Sequence, residues 1–473
     1  MTRTSSGFIL LLCLSTLTSC TVGPNYHAIA PVTPGQWQAA AQTDLKPLRP
    51  EALAHWWQSF NDAELNRLMT HALTNNLDLK IALTRIDQAR AERRGTRTQL
   101  FPSAKLVAGV QRNDNPFPGF VPGIRYNMFE TGFDALWEVD VFGRLQRRLE
   151  AAEAETEAAS EDYRQAQVML TAELARTYVE CRSLQNQLRI TRANLQAQQH
   201  TLALTEKLFK EGVSARHDVV RARAQVETTA AQIPSLEANL TAGLRQLDVL
   251  LGQRPGAALS KLDESLNVPV SAGRDLLMQP AQILRYRPDL RAAERKLAAA
   301  TAMQGAAVAE MFPKISLSAF VGLRNTDLDT LFKSAAFSYG TVGNFAQPLL
   351  NFGRIQAGID LTKAQQQQAY FSYEKAVLEA LQEVETALSR YLKEEIRRQA
   401  LSRSVADLQE SVRLSQLRYQ EGVISFLDVL DAQRAQYAAE IDQARSDAAT
   451  LTNLIAVYKA LGGGANAMQP KYE

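Results

Sequence analysis

Cysteine and long apolar runs are both scarce in this sequence of 473 residues. The three cysteines, Cys13, Cys20 and Cys181, are too few for a disulfide framework. The formal net charge of +2 provides no basic footprint for nucleic acid. After residue 20, no stretch reaches the roughly eighteen consecutive apolar residues of a transmembrane helix. If the mature chain crosses a membrane, we therefore expect it to do so with strands.

The residue patterns of common enzymes are also missing. The sequence contains no phosphate-binding loop, no nucleophile elbow and no paired-cysteine motif. Its histidines lack the spacing of metal ligands, and they lie at His27, His55, His71, His200 and His217. An enzyme is therefore the least favoured class, and the sequence predicts no catalytic residue, no metal site and no cofactor.

The N-terminus has the layout of a secretory signal. Arg3 precedes an apolar run from Phe8 to Leu17 that is too short to span a bilayer. The following residues, Leu17-Thr18-Ser19-Cys20, resemble the lipobox of bacterial lipoproteins. This resemblance implies that residues 1–19 are removed, that Cys20 becomes the lipidated first residue, and that Thr21 favours delivery to the outer membrane. The alternative is an ordinary signal peptide with a chance cysteine.

The rest of the chain is one unit used twice. Glu211-Gly212-Val213 recurs as Glu421-Gly422-Val423, a separation of 210 residues. Phe142-Gly143-Arg144 recurs at the same separation as Phe352-Gly353-Arg354, and Phe101-Pro102 recurs at a separation of 211. Turn and junction residues kept in register over this length indicate an internal repeat, and not a set of local coincidences.

Each repeat contains a stretch with the period of a strand. From Phe129 to Asp140 the odd positions are mostly apolar, and the even positions include four acidic residues, Glu130, Asp134, Glu138 and Asp140. This alternation predicts a strand with one apolar and one acidic face. Its hairpin partner is Lys105–Arg112, and the second repeat offers Lys314–Arg324 and Phe337–Phe345.

Long helices fill the remainder of each repeat. No proline or glycine interrupts residues 144–210, which predicts a helix of roughly 100 Å. Apolar residues recur every seven positions from Leu174 through Cys181 to Phe209, which indicates a left-handed supercoil against neighbouring helices. Pro234 predicts a kink in the return helix. Because of its prolines, the chain from Thr21 to about Leu73 is expected to be irregular.

The predicted domain layout follows from these patterns. It comprises a signal peptide (1–19), a lipid-anchored N-terminal segment (20–75), a first repeat (76–251), a linker (252–285), a second repeat (286–461) and a C-terminal tail (462–473). Within the repeats we expect hairpins at 104–140 and 314–347, long helices at 143–211 and 353–421, and return helices at 214–251 and 425–461.

Two hairpins give only four strands per chain. A lipid-facing sheet must close on itself, and closed membrane barrels begin at about eight strands. Three copies would supply twelve strands, and the same threefold ring would assemble the long helices into a hollow cylinder. The predicted fold class is therefore mainly α with a small transmembrane β part: a coiled-coil α-barrel whose hairpins complete a trimeric twelve-stranded β-barrel, with acidic faces lining a wet lumen.

A set of short motifs resembles one known family. They are Val22-Gly23-Pro24-Asn25-Tyr26 after the lipobox, Trp56-Trp57, Arg287-Pro288-Asp289, both Gly-Arg junctions and both Glu-Gly-Val turns. Together they resemble the outer-membrane factor family, the OprM- and TolC-like, NodT-type efflux channel lipoproteins. The resemblance implies a lipid-anchored homotrimer in the outer membrane with a large periplasmic part. Its implied partners are outer-membrane lipid, a periplasmic adaptor protein and an inner-membrane pump.

The turn of the second repeat is the predicted gate. If three chains converge there, Asp428 and Asp431 form rings of carboxylates that attract cations and repel anions. The resemblance places both residues at the family's entrance constriction, and it matches Tyr419 and Asp218 to a pair that helps to hold the inner helices shut. For Asp428 the alternative is helix capping, with Ser425 at the N-cap position.

The resemblance also assigns the two Gly-Val pairs, Gly212-Val213 and Gly422-Val423, to adaptor-docking turns. A glycine that ends a helix for backbone reasons alone is the alternative. Arg221 occupies the position that matches Asp431, so the first repeat does not reproduce the gate.

The expected function is the outer-membrane channel component of a tripartite efflux system, which passes small molecules out of the cell. The alternative is a periplasmic coiled-coil adaptor or a structural lipoprotein. Such a protein would share the heptads and the lipid anchor, but it would not need two amphipathic hairpins. The sequence names neither the transported substrates nor the class of pump.

Overall fold

The computed structural model describes residues 21–39, 45–115, 124–256 and 275–468. These residues form two compact units. The sheet unit comprises the described residues of 1–30, 85–160 and 292–375, and the helical unit comprises those of 31–84, 161–291 and 376–473. Within the described ranges, no helix is both long enough and apolar enough to cross a membrane. The predicted signal peptide and Cys20 lie outside the described residues.

The chain is mainly helical. Up to the linker its elements are β1 (Lys46–Pro47), α1 (Pro50–Ala54), α2 (Ala63–Asn75), α3 (Leu77–Thr98), β2 (Ser103–Asn115), β3 (Ile124–Val139), α4 (Arg144–Lys210), α5 (Arg216–Ala230) and α6 (Gln232–Leu250). After the linker they are β4 (Asp275–Leu277), α7 (Pro280–Tyr286), α8 (Pro288–Ala309), β5 (Lys314–Asn325), β6 (Phe337–Ala346), α9 (Arg354–Gln420) and α10 (Phe426–Ala460).

Helix α2 corrects the expectation that the chain is irregular as far as Leu73. The Asp62 carboxylate caps this helix by accepting hydrogen bonds from the N–H groups of Glu64 and Leu65, at 2.9 and 3.0 Å. The prolines that suggested irregular structure all lie at or before Pro50. After Pro50, the apolar residues have the spacing of a helix with one buried face. This face consists of Leu65, Leu68, Met69 and Ala72.

The first return helix is broken, whereas the second is continuous. Helix α5 ends at Ala230, and α6 begins at Gln232. Pro234 has no N–H group, and its ring would clash with the carbonyl of the residue four positions before it, which is Ala230. In the second repeat the matching residue is Ala444, and α10 runs without interruption for 35 residues. Between α5 and α6, Ala231 keeps an α-helical backbone conformation, with φ of −63° and ψ of −18°, so the interruption is one residue long and lies where the kink was predicted.

Four strands form one antiparallel sheet with the order β2-β3-β5-β6. The two hairpins have equivalent registers, because Ser103 lies opposite Leu136 and Lys314 lies opposite Ala346. Both hairpins are joined to the end of the preceding helix by the same hydrogen bond. Trp137 donates to the carbonyl of Leu100 and Gln347 donates to that of Met311, each at 3.0 Å.

The predicted apolar face extends across the whole sheet. Phe133 on β3 lies opposite both Leu106 on β2 and Val321 on β5, and Val321 lies opposite Tyr339 on β6. Directly opposed residues share a face of the sheet. The exposed side chains of Leu106, Phe133 and Tyr339 therefore belong to one apolar surface.

The opposite face is not simply acidic, which corrects the sequence expectation. Lys105 lies 3.5 Å from the Asp134 carboxylate, and Arg324 lies 3.1 Å from that of Glu130. The Arg324 guanidinium also covers the ring of Phe320, at 3.8 Å from the ring centroid. The sequence of strand β3 contains the acidic residues but not their cationic partners, because those partners lie on the neighbouring strands.

In the helical unit, both repeats end with the same latch. Asn76, before α3, donates to the carbonyl of Leu250 at the end of α6, at 2.9 Å. Arg287, before α8, donates to the carbonyl of Ala460 at the end of α10, also at 2.9 Å. A carbonyl in the last turn of a helix has no partner within the helix. In each repeat, the residue before the short helix therefore satisfies the end of the return helix.

Candidate functional site at the helical hairpin tips

The two predicted docking turns have the same backbone structure. The N–H of Val213 donates to the carbonyl of Leu208, and the N–H of Val423 donates to that of Arg418, each at 2.9 Å. Between them, Gly212 and Gly422 adopt left-handed conformations with φ of 77° and 72°. A Cβ atom on either glycine would meet no described atom within 4 Å, so the backbone conformation, and not the available space, requires glycine.

Each turn presents a valine to solvent. Val213 is 71% exposed and Val423 is 58% exposed. Apolar side chains held at the end of a rigid turn can anchor a partner surface. The glycine C-cap and the docking turn are thus compatible interpretations of the same residues.

The capping alternative for Asp428 is realised in the structure. Its carboxylate accepts hydrogen bonds from the backbone N–H of Ser425 at 2.9 Å and from the Ser425 hydroxyl at 2.8 Å. The side chain nevertheless stays exposed at the start of α10. Capping therefore fixes the position of the negative charge without burying it, and leaves it available to an approaching ion.

Asp431 lies three residues further along α10, on the same side of the helix as Asp428. It is exposed and makes no hydrogen bond or ion pair with any residue of the described chain. The residues that turn the other way, Phe426, Val429 and Leu430, are buried. The two carboxylates therefore form a solvent-facing pair at the tip of the second repeat.

The first repeat carries a different arrangement. Asp218 accepts a hydrogen bond from the Ser214 hydroxyl at 3.3 Å, and the N-cap residue Ala215 has no side chain able to cap the helix. Arg221 stands where the second repeat has Asp431. The exposed residues Arg216 and His217 add further basic groups beside this turn. The two tips thus share a backbone but differ in charge.

Tyr419 belongs to an apolar cluster between the two tips. Its ring lies 5.8 Å from that of Phe426 and packs on a buried group that also contains Ala222 and Leu430. The Tyr419 hydroxyl is buried and has no hydrogen-bond partner among the described residues. The structure therefore brings Tyr419 to helix α5 through Ala222, and not through a hydrogen bond to Asp218.

Sequence reasoning missed a polar seam near the tips. Arg434 on α10 donates to Gln225 on α5 at 2.7 Å, and Gln433 donates to Thr201 on α4 at 3.0 Å. The hydroxyl of Tyr437 donates to Gln232 at 2.6 Å. These bonds connect the return helix of the second repeat to α4, α5 and α6 of the first.

The sequence contains a polar repeat that meets this seam at one point, where the hydroxyl of Thr191 lies 3.1 Å from that of Tyr437. On α4, Thr191, Gln198 and Thr205 recur every seven residues and are all buried. In contrast, the apolar heptad line is buried at Leu174 but ends at Phe209, which is substantially exposed. An apolar period alone does not reveal this second, polar line.

No cluster of histidine, cysteine, aspartate and glutamate side chains suited to a metal ion occurs among the residues that the structure describes. At the tips, exposed carboxylates are able to attract cations, and exposed apolar side chains are able to contact another protein.

Comparisons with known proteins agree on one family. A family model described as "Outer membrane efflux protein" matches residues 68–253 and 280–463. Nodulation protein T of Rhizobium leguminosarum bv. trifolii is 32% identical over 452 residues, with 94% of each chain covered. The cation efflux system protein CusC of Escherichia coli (strain K12) is 31% identical, with 95% of this chain and 97% of CusC covered.

Solved structures show the same fold. The outer-membrane channel OprN superimposes with a TM-score of 0.88 at 36% identity, covering 94% of this chain and 100% of that one. The Neisseria gonorrhoeae MtrE outer membrane channel superimposes with a TM-score of 0.80 at 28% identity, covering 95% of this chain and 99% of that one. The chain therefore belongs to the outer membrane efflux protein family and is the outer-membrane channel component of an efflux system.

Proposed function

We propose that three copies of this chain form the duct, with the sheet in the outer membrane. The sheet is the observation that carries this proposal. Within the described chain, its outer strands β2 and β6 each have one unpaired edge, and an apolar face extends across all four strands. Because neighbouring strands alternate in direction, β6 of one copy is antiparallel to β2 of the next. Twelve strands then close with no unpaired edge in lipid.

The N-terminal segment supports a lipid anchor at Cys20. The N–H of Val22 donates to the carbonyl of Phe142 at 3.3 Å, and Arg147 donates to Val22 and to Asn25. These contacts hold the segment beside the junction of β3 and α4. Thr21, the residue after Cys20, packs on Gly143 at this junction. An acyl group on Cys20 would thus start beside the sheet, where membrane lipid is expected.

The exposed turns at Gly212-Val213 and Gly422-Val423 would bind a periplasmic adaptor, which connects the duct to an inner-membrane pump. The names of the relatives do not agree on a solute. The cation efflux system protein CusC and the toluene efflux pump protein TtgF of Pseudomonas putida are 31% and 32% identical to this chain. We therefore assign the choice of small molecule to the pump, and conduction to this chain.

At the tip, the proposed gate consists of three copies of the Asp428–Asp431 pair. Carboxylates brought together around a narrow mouth attract cations and disfavour anions. Opening would separate α10 from its neighbours. Opening would also require the Tyr419 cluster and the polar seam to rearrange. The contact between Tyr419 and α5 would help to hold the helices shut, which is the role expected of the Tyr419–Asp218 pair.

The native mass of a Cys20→Ser variant, secreted through an ordinary signal peptide and measured by light scattering in detergent, tests the trimer. Without acyl chains, any need for detergent must come from the surface of the protein itself. A detergent-dependent particle of three copies supports the duct. A detergent-free soluble monomer would rule it out and favour the periplasmic adaptor instead.

Three variants separate the gate from the cap at Asp428. Asp428→Asn removes the charge but keeps an oxygen that can accept the Ser425 bonds, whereas Asp428→Ala removes both. Ser425→Ala weakens the cap and keeps the charge. We expect Asp428→Asn and Asp428→Ala to lower cation preference in planar bilayers to a similar extent, and Ser425→Ala to leave it unchanged. If only Asp428→Ala and Ser425→Ala alter conduction, the residue acts as a cap alone.

A further inference from the structure

Two glycines face each other on the polar side of the sheet. Gly132 of β3 lies opposite Gly322 of β5. They share a face with Glu130 and Arg324, which lie opposite each other two residues further along the strands. A Cβ atom on Gly132 would lie 2.7 Å from the Cα atom of Gly322, so the two strands approach too closely here for a side chain. The glycine pair therefore leaves a shallow depression in the polar face.

The ring of Phe320 covers this glycine pair. Phe320 lies two residues before Gly322 on β5 and opposite Asp134 of β3, on the same polar face. Its ζ carbon would be only 2.9 Å from a Cβ atom built on either glycine. The side chain is therefore turned along the strand, and its ring lies against the wall of the sheet.

Arg324 covers the other side of the ring. Its guanidinium carbon lies 3.8 Å from the centroid of the Phe320 ring. The Nε of Arg324 donates to Oε2 of Glu130 at 3.1 Å, and this ion pair holds the guanidinium in place for a cation–π contact. The ring is thus held between the glycine pair and the arginine.

Within the described ranges, this arrangement occurs at the junction of the two repeats and is not duplicated. The repeat separation of 211 residues matches Phe320 to Gly109 and Gly322 to Gln111. Strand β2 therefore has no ring at the matching position. A trimer would carry three such rings, and not six.

We infer that Phe320 sets the width of the duct within the sheet, and that Arg324 is a positioning residue that keeps the ring out of the path of the solute. This inference rests on the proposed trimer, in which the polar face lines the lumen. Three rings that pointed inward at one level would narrow the lumen, whereas rings held against the wall leave it wide. The alternative is a role in stability alone, because an aromatic ring over strand glycines also stabilises a sheet.

Labelling of a cysteine placed beyond the ring measures this width. Ser316 lies on the same face as Phe320, four residues or about 13 Å closer to the helical end of β5. A reagent that enters from outside must therefore pass the ring to reach it. In a Cys181→Ala background, intact cells that carry Ser316→Cys are treated with neutral polyethylene glycol maleimides of graded length. A gel shift of the denatured chain then reports the labelled fraction over time.

We expect Arg324→Gln to slow this labelling by the longer polymers about two- to tenfold, because loss of one cation–π contact shifts the position of the ring by about that factor. Glutamine is the smaller side chain, so an effect of size alone would have the opposite sign. Adding Phe320→Ala to Arg324→Gln should restore the rate, because no ring is left to enter the lumen. Glu130→Gln frees the guanidinium and should slow labelling in the same direction, which provides a second variant if Arg324→Gln does not assemble.

A cysteine on the outer side of the ring is the matched control. Ser338 of β6 lies opposite Gly322, which is nearer the outer end of the sheet than Phe320. Ser338→Cys should therefore label at the same rate in every variant. Both glycines are left in place, because a Cβ atom at either position would also disturb the strand backbone.

The outcomes distinguish this inference from the function on which it rests. If Arg324→Gln and Glu130→Gln leave labelling of Ser316→Cys unchanged or make it faster, Arg324 does not hold the ring and the duct stands. If Phe320→Ala destabilises the trimer without restoring the rate, the ring has a role in stability alone. If the shortest polymer labels neither Ser316→Cys nor Ser338→Cys until the chain is denatured, the polar face is not a lumen open to the outside. The duct and the inference then both fail.

Discussion

At the scale of single residues, the glycines of the tips show that the sequence can identify an important residue without showing what that residue does. Gly212 and Gly422 stood out because they recur at the same separation as the rest of the repeat. The structure adds that both have positive φ and open space around Cα. Backbone conformation therefore accounts for the glycines, and their valine neighbours carry the exposed surface.

A glycine-to-alanine pair tests this account. We expect Gly422→Ala to destabilise the tip by about 1–2 kcal/mol, because an L-residue is disfavoured at positive φ. Gly358→Ala is the matched control, since Gly358 lies within α9, has no positive φ and also has open space around it. There, alanine should stabilise the helix by about 0.5–1 kcal/mol. Thermal unfolding of the two variants should shift in opposite directions, and equal shifts would contradict the backbone argument.

Cys181 gives a prediction about reactivity. Burial raises the pKa of its thiol to about 12, so almost no thiolate exists at neutral pH. In the Cys20→Ser variant, we expect no labelling of folded protein by iodoacetamide at pH 7 and complete labelling after denaturation. Rapid labelling of the native protein would show that α4 opens at this position. Mass spectrometry of the peptide that contains Cys181 is the measurement.

At the scale of elements, the sequence predicted the long helices, the hairpins and the interruption near Pro234, but it predicted neither α2 nor the latches. Uninterrupted composition was sufficient for α4, because a helix of this length needs only the absence of breakers. Helix α2 was missed, since nearby prolines outweighed a short apolar period. The latches at Asn76 and Arg287 could not be found from sequence, because each joins residues more than 170 positions apart.

The two latches provide a matched comparison. Arg287 is buried, and it binds Asp289, Glu383 and the carbonyl of Ala460. We expect Arg287→Ala to cost about 2–4 kcal/mol, towards the low end because both carboxylates are partly exposed. Asn76→Ala removes a neutral cap and should cost about 1 kcal/mol. Chemical denaturation followed by far-UV circular dichroism measures both, and a smaller loss for Arg287→Ala than for Asn76→Ala would contradict the latch.

At the scale of the whole molecule, duplication was the most informative feature of the sequence. It predicted two hairpins, two long helices and two turns, because equivalent residues occupy equivalent places. The sequence also showed where the copies differ, with Pro234 against Ala444 and Arg221 against Asp431, but it did not show which side chains surround these positions. The charge balance of the sheet was hidden for a similar reason. Arg324 and Glu130 are 194 residues apart in sequence but are neighbours on adjacent strands.

The proposed lipid face of the sheet is testable with one charge. Phe133→Arg places a guanidinium on the apolar face, at a cost of about 2–4 kcal/mol near the bilayer centre. We expect much less heat-modifiable trimer in the outer-membrane fraction. Asn344→Arg is the control, because Asn344 lies opposite Ser316 on the polar face. Equal loss in both variants would mean that neither face is specific for lipid.

The open edges of the sheet also have a consequence for the newly made chain. Within the described residues, strands β2 and β6 leave rows of backbone N–H and C=O groups unpaired, and such edges promote aggregation. A single chain cannot satisfy them by joining its own edges, because four strands are too few to close a ring. Unassembled chains must therefore find two others before they find a wrong partner.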